Sequence, residues 1–226
     1  MTRPWETLGK EPTEWGEVEL RRRAEDDFLL TLDKRVVMTS AAHRSERALA
    51  ELATEVLKGV AAPRVLIAGL GMGFTLRSAL DTLSPDAQVV VVELLPVVVE
   101  WCRGPLAGLS DSALSDPRVR IVVGDVSAEI AAAAARGGQR FDASILDLFE
   151  GPSGDADPVL GLQGLARIHA ALSRVGVLTV WSERPERRFE RALVRQGFRY
   201  ECHRAGRGGL RHALYRARPK RPGAVA

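Results

Sequence analysis

The chain is poor in cysteine and aromatic residues and has no long apolar run, and each shortage excludes something. Its 226 residues hold two cysteines, Cys102 and Cys202, without a second pair. That leaves neither a disulfide framework nor a zinc-ligand spacing, and both read as ordinary buried thiols. No stretch of about eighteen consecutive apolar residues occurs, and the opening "MTRPWETLGKEPTEW" has no apolar segment of the signal-peptide kind. A cytoplasmic location with no membrane partner is the expectation. Aromatic residues make up 5% of the chain and the net charge is only +3. The basic clusters "RRR" at 21–23, "RPERR" at 184–188 and "RARPKR" at 216–221 are short and carry no interleaved aromatics. They suit a solvated face and a basic tail better than a nucleic-acid groove, so no nucleic-acid partner is expected.

What is present is one core's worth of apolar sequence, 46% hydrophobic against 27% charged. From residue 63 onward, short apolar runs alternate with segments of helical period. Strands are predicted at 64–68, 88–93, 118–123, 141–147 and 175–181, with a sixth helix near 185–196. Runs such as "QVVVVEL" are continuously apolar, as parallel strands covered on both faces must be. Two further strand-like runs, "FRYECHR" and "LRHALYRA", flank "AGRGG", whose glycines suit a tight reversal. The expected class is α/β: a doubly wound, Rossmann-like, mostly parallel sheet of about seven strands that ends in an antiparallel hairpin.

The first forty residues differ. "EVELRRR", "FLLTLD" and "RVVMTS" are short, strand-like and broken by charge, which predicts a small β-appendage behind an N-terminal arm. A helix is expected over 41–59 with Ser40 as its N-cap. The expected organisation is arm and appendage at 1–40, the main domain at 41–218 and a basic tail at 219–226.

In an open parallel sheet, ligands bind beyond the carboxyl ends of the strands. Those ends carry Gly69, Gly71 and Gly73 after the first strand, Glu93 and Leu94 after the second, and Asp125 and Val126 after the third. The fourth strand ends on Asp147, with Glu150 close behind. Glycines let the main chain turn sharply and approach a ligand, and an acid about twenty residues further on can accept hydrogen bonds from vicinal ribose hydroxyls. The pattern is G-x-G-x-G, and Phe74 stands where a dinucleotide fingerprint needs glycine. An adenosine-bearing ligand fits this set.

The order "VLIAGLGMGFTLRSAL", "VVVVELLPVVVEWCR", "DPRVRIVVGDV", "FDASILDLFEGP" resembles the spermidine synthase-like branch of the class I S-adenosylmethionine-dependent methyltransferase fold. The resemblance implies that Gly69, Gly71 and Gly73 border the methionine part of S-adenosylmethionine or its decarboxylated form. It implies that Glu93 holds the ribose and Asp125 the adenine amino group, with Leu94 and Val126 beside them. Asp147 matches the first acid of the family's catalytic loop, and Glu150 replaces the second. The loop "FEGPSGDADP" is a candidate acceptor lid. The family's acid inside the glycine loop is replaced by Met72, and its tyrosine and its glutamine or histidine near the first helix are not evident in "VVMTSAAHRSERALAEL".

These departures lead to methyl transfer to a small-molecule acceptor as the expected activity, with aminopropyl transfer to an amine as the alternative. A catalytically silent nucleoside-binding relative is the third reading. His43, just before Glu46, is a candidate for the pocket, whereas His169, His203 and His212 show no ligand spacing. A homodimer is expected, because a short exposed β-ribbon gains by covering its edges.

Overall fold

Residues 3–149, 157–205 and 211–220 are described by the structure, a computed structural model. From Arg64 the chain builds a seven-stranded sheet in the order β10-β11-β9-β8-β5-β6-β7. Its strands are β5 (Arg64–Ala68), β6 (Gln88–Glu93), β7 (Val119–Val123), β8 (Phe141–Leu146), β9 (Leu172–Ser182), β10 (Phe198–Ala205) and β11 (His212–Pro219). β5 to β9 pair in parallel, while β11 runs antiparallel between β9 and β10. The α/β expectation and the C-terminal hairpin are both borne out.

The sheet is covered on both faces, which explains its unbroken apolar strands. On β5, Val65 and Ile67 enter one core and Leu66 and Ala68 the other. The first core also takes α1 (Arg44–Thr54), α2 (Phe74–Thr82) and α3 (Pro96–Arg103) through Leu49, Leu76 and Val99. The second takes α4 (Val126–Ala134), α5 (Leu162–Ala171) and α6 (Arg187–Arg195) through Ile130, Leu165 and Leu193. No described helix is long and apolar enough to cross a membrane.

The N-terminal appendage is a four-stranded antiparallel sheet, β1 (Glu6–Thr13), β2 (Gly16–Ala24), β3 (Asp27–Leu32) and β4 (Arg35–Thr39), in sequential order. Val18, Leu20, Phe28 and Leu30 join the first core. β1 was expected as arm, not strand. Its "ETLGKEPT" has no apolar alternation, and it is held by the β2 ladder and by polar pairs such as Lys10 with Glu17 at 2.9 Å.

Three local expectations need correction. Ser40 does not cap α1; its hydroxyl accepts from Phe28 N–H at 2.8 Å and donates to Asp26 O at 2.6 Å, so it ties the appendage together. The helix begins at Arg44 and tightens into a 3-10 turn at Glu55–Leu57, so it is shorter than 41–59. Cys102 is buried as expected, but Cys202 is exposed on the outermost strand.

Candidate active site

The chain passes from β5 outward to β7 and returns to the other side of β5 at β8. The strand order therefore reverses between β5 and β8, the point beyond whose carboxyl ends open α/β sheets bind their ligands. Gly69 and Asp147 flank that point. Asp147 N–H donates to Ala68 O and Gly69 N–H to Val92 O, each at 2.9 Å.

Glycine is required here for two separate reasons. Gly69 has a φ of +87°, and a Cβ there would overlap the Asp147 carbonyl oxygen. Gly73, at φ +84°, turns the chain into the first turn of α2. Two side chains brace the loop between them. Glu93, 8% exposed, accepts Leu70 N–H at 2.8 Å on one carboxylate oxygen and Leu95 N–H at 2.9 Å on the other. Burial raises the Glu93 pKa, and these backbone donors act the other way. The N–H groups of Leu94 and Gly71 also act on this carboxylate, so the glycine loop and the start of the next turn close around Glu93. From α3, the Cys102 thiol donates to Gly71 O at 3.2 Å; burial and the Glu93 charge push its pKa up to about 12, so it remains a donor.

Met38 of β4 approaches the same loop from the appendage. Its sulfur accepts Met72 N–H at 3.3 Å, and its methyl stands 2.9 Å from where a Cβ on Gly71 would lie. Met72 itself points into the core, fully buried. Its side chain therefore takes no place on the open face of the loop. Asp125 is exposed and caps α4, its Oδ1 accepting Ser127 N–H at 2.7 Å, while Val126 is buried and Leu94 is 43% exposed.

Asp147 has strongly perturbed chemistry. Thr75 Oγ1, in the first turn of α2, donates to its Oδ2 at 2.6 Å. Burial first, and the charge of Glu46 second, push the Asp147 pKa up to about 7 against the Thr75 hydrogen bond. Glu46 is buried at the start of α1, held by Ser45 Oγ at 2.8 Å. A carboxyl that titrates near neutrality, beside a loop shaped for close approach, suits proton exchange with a bound substrate. Beyond it, Phe149 is 37% exposed under the Arg35 guanidinium, 5.3 Å from the ring centroid. On neighbouring β9, Thr179 Oγ1 and Trp181 Nε1 are buried with no hydrogen-bond partner among the described residues.

Glu150, Asp155 and most of the candidate lid lie outside the described residues. Asp157 lies within them; its Oδ1 accepts the N–H groups of Val159 and Leu160 at 2.8 and 2.7 Å, an arrangement that starts the turn into α5. His43 stacks on Phe74, with centroids 4.1 Å apart, and its Nδ1 lies 2.8 Å from Ser40 O. Thr75, Glu46 and Met38 were missed in the sequence reading. Thr75 carried one available signal, its place in the first turn after the glycine loop.

No protein-family model matches the chain, and no curated protein matches it in sequence. Solved structures do match in fold. The chain superposes on spermidine synthase from Thermotoga maritima with a TM-score of 0.73 at 19% identity, over 93% of this chain and 72% of that one. It superposes on a spermidine synthase in complex with the transition-state analogue AdoDATO with a TM-score of 0.72 at 18% identity, over 93% and 71% of the two chains. The chain has the fold of these spermidine synthases.

Proposed function

We propose that this chain is a transferase that binds an adenosyl sulfonium donor along Gly69, Gly71 and Gly73 and moves an alkyl group to a small amine. The observation that supports this reading most is Asp147: a carboxyl titrating at about 7, next to a glycine loop on which a side chain would collide. The donor cradle fits the residues present. Glu93 stands at the end of β6 for the ribose hydroxyls, and Asp125 stands exposed at the next strand end for the adenine edge.

A sulfonium donor supplies an electrophilic carbon whose bond to sulfur breaks as the acceptor nitrogen attacks. The protein's part is alignment, removal of the nitrogen's proton and exclusion of water. Asp147 takes that proton in its ionised form, and Thr75 orients the carboxylate while it does so. Glu46 adds a second negative charge that favours a cationic acceptor.

The likeness to spermidine synthases supports aminopropyl transfer over the methyl transfer expected from the sequence. Methyl transfer stays as a second reading on one observation: Met72 is buried, and no acid stands within the loop to meet a donor amine. Calorimetric titration with S-adenosylmethionine, its decarboxylated form, S-adenosylhomocysteine and methylthioadenosine separates the two. Preference for the decarboxylated pair supports aminopropyl transfer, and preference for the carboxylated pair replaces it with methyl transfer. Binding of none removes both. Homodimerisation through the appendage belongs to the same reading, where Trp15 and Val36 are 45% and 56% exposed; light scattering tests it.

A further inference from the structure

A chain of buried polar groups runs from the site into the C-terminal hairpin. Ser45 and Glu46, in the first turn of α1, are 4% and 6% exposed. Ser45 Oγ donates to Glu46 Oε2 at 2.8 Å and stands 2.9 Å from Nδ1 of His212 on β11. A serine hydroxyl carries one hydrogen, so with that hydrogen on Glu46 the oxygen accepts from His212 Nδ1–H. The imidazole is held against Trp181 of β9, with centroids 4.7 Å apart and planes at 60°. It is half-buried, so the chain leads from the enclosed acids toward solvent.

Packing creates this chain. α1 lies across β8, β9 and β11, which brings Ser45 to a histidine 167 positions away and sets Glu46 where its charge acts on the acid that ends β8. Thr75 of α2 bonds Asp147 at the end of β8, Ser45 bonds Glu46 and meets His212 of β11, and the Trp181 indole of β9 packs on that histidine. Arg216, on β11 and facing α1, is already engaged by Glu55 and Glu201 at 3.3 and 2.6 Å.

We propose that Glu46 is a second acid of this site, and that Ser45 and His212 form the path by which a proton released by the acceptor leaves it. The proposal rests on the transferase reading above. In the transfer, the carbon–nitrogen bond forms as the carbon–sulfur bond breaks with its electron pair on sulfur. The surplus proton on nitrogen passes to the Asp147 and Glu46 carboxyls. With the proton on Glu46, the hydrogen bonds run outward: Glu46 O–H to Ser45 Oγ, and Ser45 O–H to Nδ1 of the His212 tautomer that carries its hydrogen on Nε2. Shifting both hydrogens one step leaves Glu46 ionised and His212 as imidazolium. Loss of the Nε2 proton to solvent gives the Nδ1–H tautomer, which donates to Ser45. In this scheme Ser45 and His212 are positioning residues.

The test is carboxyl and imidazole NMR of the full-length protein across neutral pH, with calorimetric donor titration on the same samples. The expected result is that the His212 ring signals follow the Asp147 carboxyl near pH 7, in a step that Asp147→Asn abolishes. That movement is expected to vanish in Glu46→Gln and in Ser45→Ala. In Ser45→Ala, Asp147 still titrates high, because its burial, the first cause, and Glu46 beside it both remain; either variant suffices where the other does not fold. Ring signals in the wild type that ignore the Asp147 titration, or a response that survives Ser45→Ala, overturn the path. Donor binding that fails while the ring response persists overturns the transferase reading alone. Donor binding without the response overturns the path alone.

Discussion

Thr75 donates its hydroxyl hydrogen to Asp147 Oδ2 at 2.6 Å, and it does so from the first turn of the helix that the glycine loop starts. Loop conformation and acid chemistry are therefore tied by one hydrogen bond. That bond favours the ionised carboxyl, so Thr75→Val raises the Asp147 pKa further above about 7, by roughly one unit for each 1.4 kcal/mol of hydrogen-bond energy lost. Carboxyl NMR reads the shift. If Asp147 is the base, the pH–rate profile moves to higher pH with it.

Asp147 also makes the fold sensitive to pH. Its pKa rises on folding from 3.8 to about 7, so the folded state binds a proton more tightly than the unfolded chain. This group's contribution is fully present below about pH 4 and is lost as pH climbs through 7, a change on the order of a few kcal/mol. Asp147→Asn carries no charge at any pH. It is expected to raise the melting temperature over wild type by several degrees at pH 8 and by much less at pH 5, while abolishing turnover.

Gly69 and Gly59 share a positive φ, at +87° and +84°, but not a neighbourhood. A Cβ on Gly59 meets nothing within 4 Å, whereas one on Gly69 overlaps the Asp147 carbonyl. Gly59→Ala should show backbone strain alone, on the order of 1–2 kcal/mol. Gly69→Ala should lose that and more, together with donor binding, because loop and acid must part. Denaturant melts of the two variants compare the effects, and equal losses would remove the close approach as a cause.

Much of this site was legible in the sequence because parallel strands buried on both faces leave continuous apolar runs whose ends can be read directly. Gly69, Glu93, Asp125 and Asp147 all stand at or just beyond such ends. β1 was not legible, since Leu8 alone of its side chains packs on the core and a single apolar residue shows no alternation; the pairing with β2 makes the segment a strand. Glu46, Ser45 and His212 were equally hidden. Their meeting depends on how α1 crosses the sheet, and periodicity reports which face of a helix is apolar, not which strand end its first turn reaches. Met72 could be read as a missing acid, but its burial, with Met38 taking its N–H, belongs to the packing of the appendage.

Glu93 offers the sharpest test of the donor cradle, because both its oxygens already accept backbone N–H groups. Glutamine is nearly isosteric, yet it replaces one of those oxygens with an NH2 group. Whichever way the amide turns, a donor faces either Leu70 N–H or Leu95 N–H. Leaving a buried N–H without an acceptor costs about 1–3 kcal/mol, so Glu93→Gln should lower stability by that order. Its effect on the ligand is separate. Two acceptors for vicinal hydroxyls become one acceptor and one donor, and affinity for S-adenosylmethionine or its decarboxylated form should fall at least tenfold by calorimetry. A variant that loses stability yet binds both donors as the wild type does would make Glu93 a brace for the loop and remove it from the ribose site.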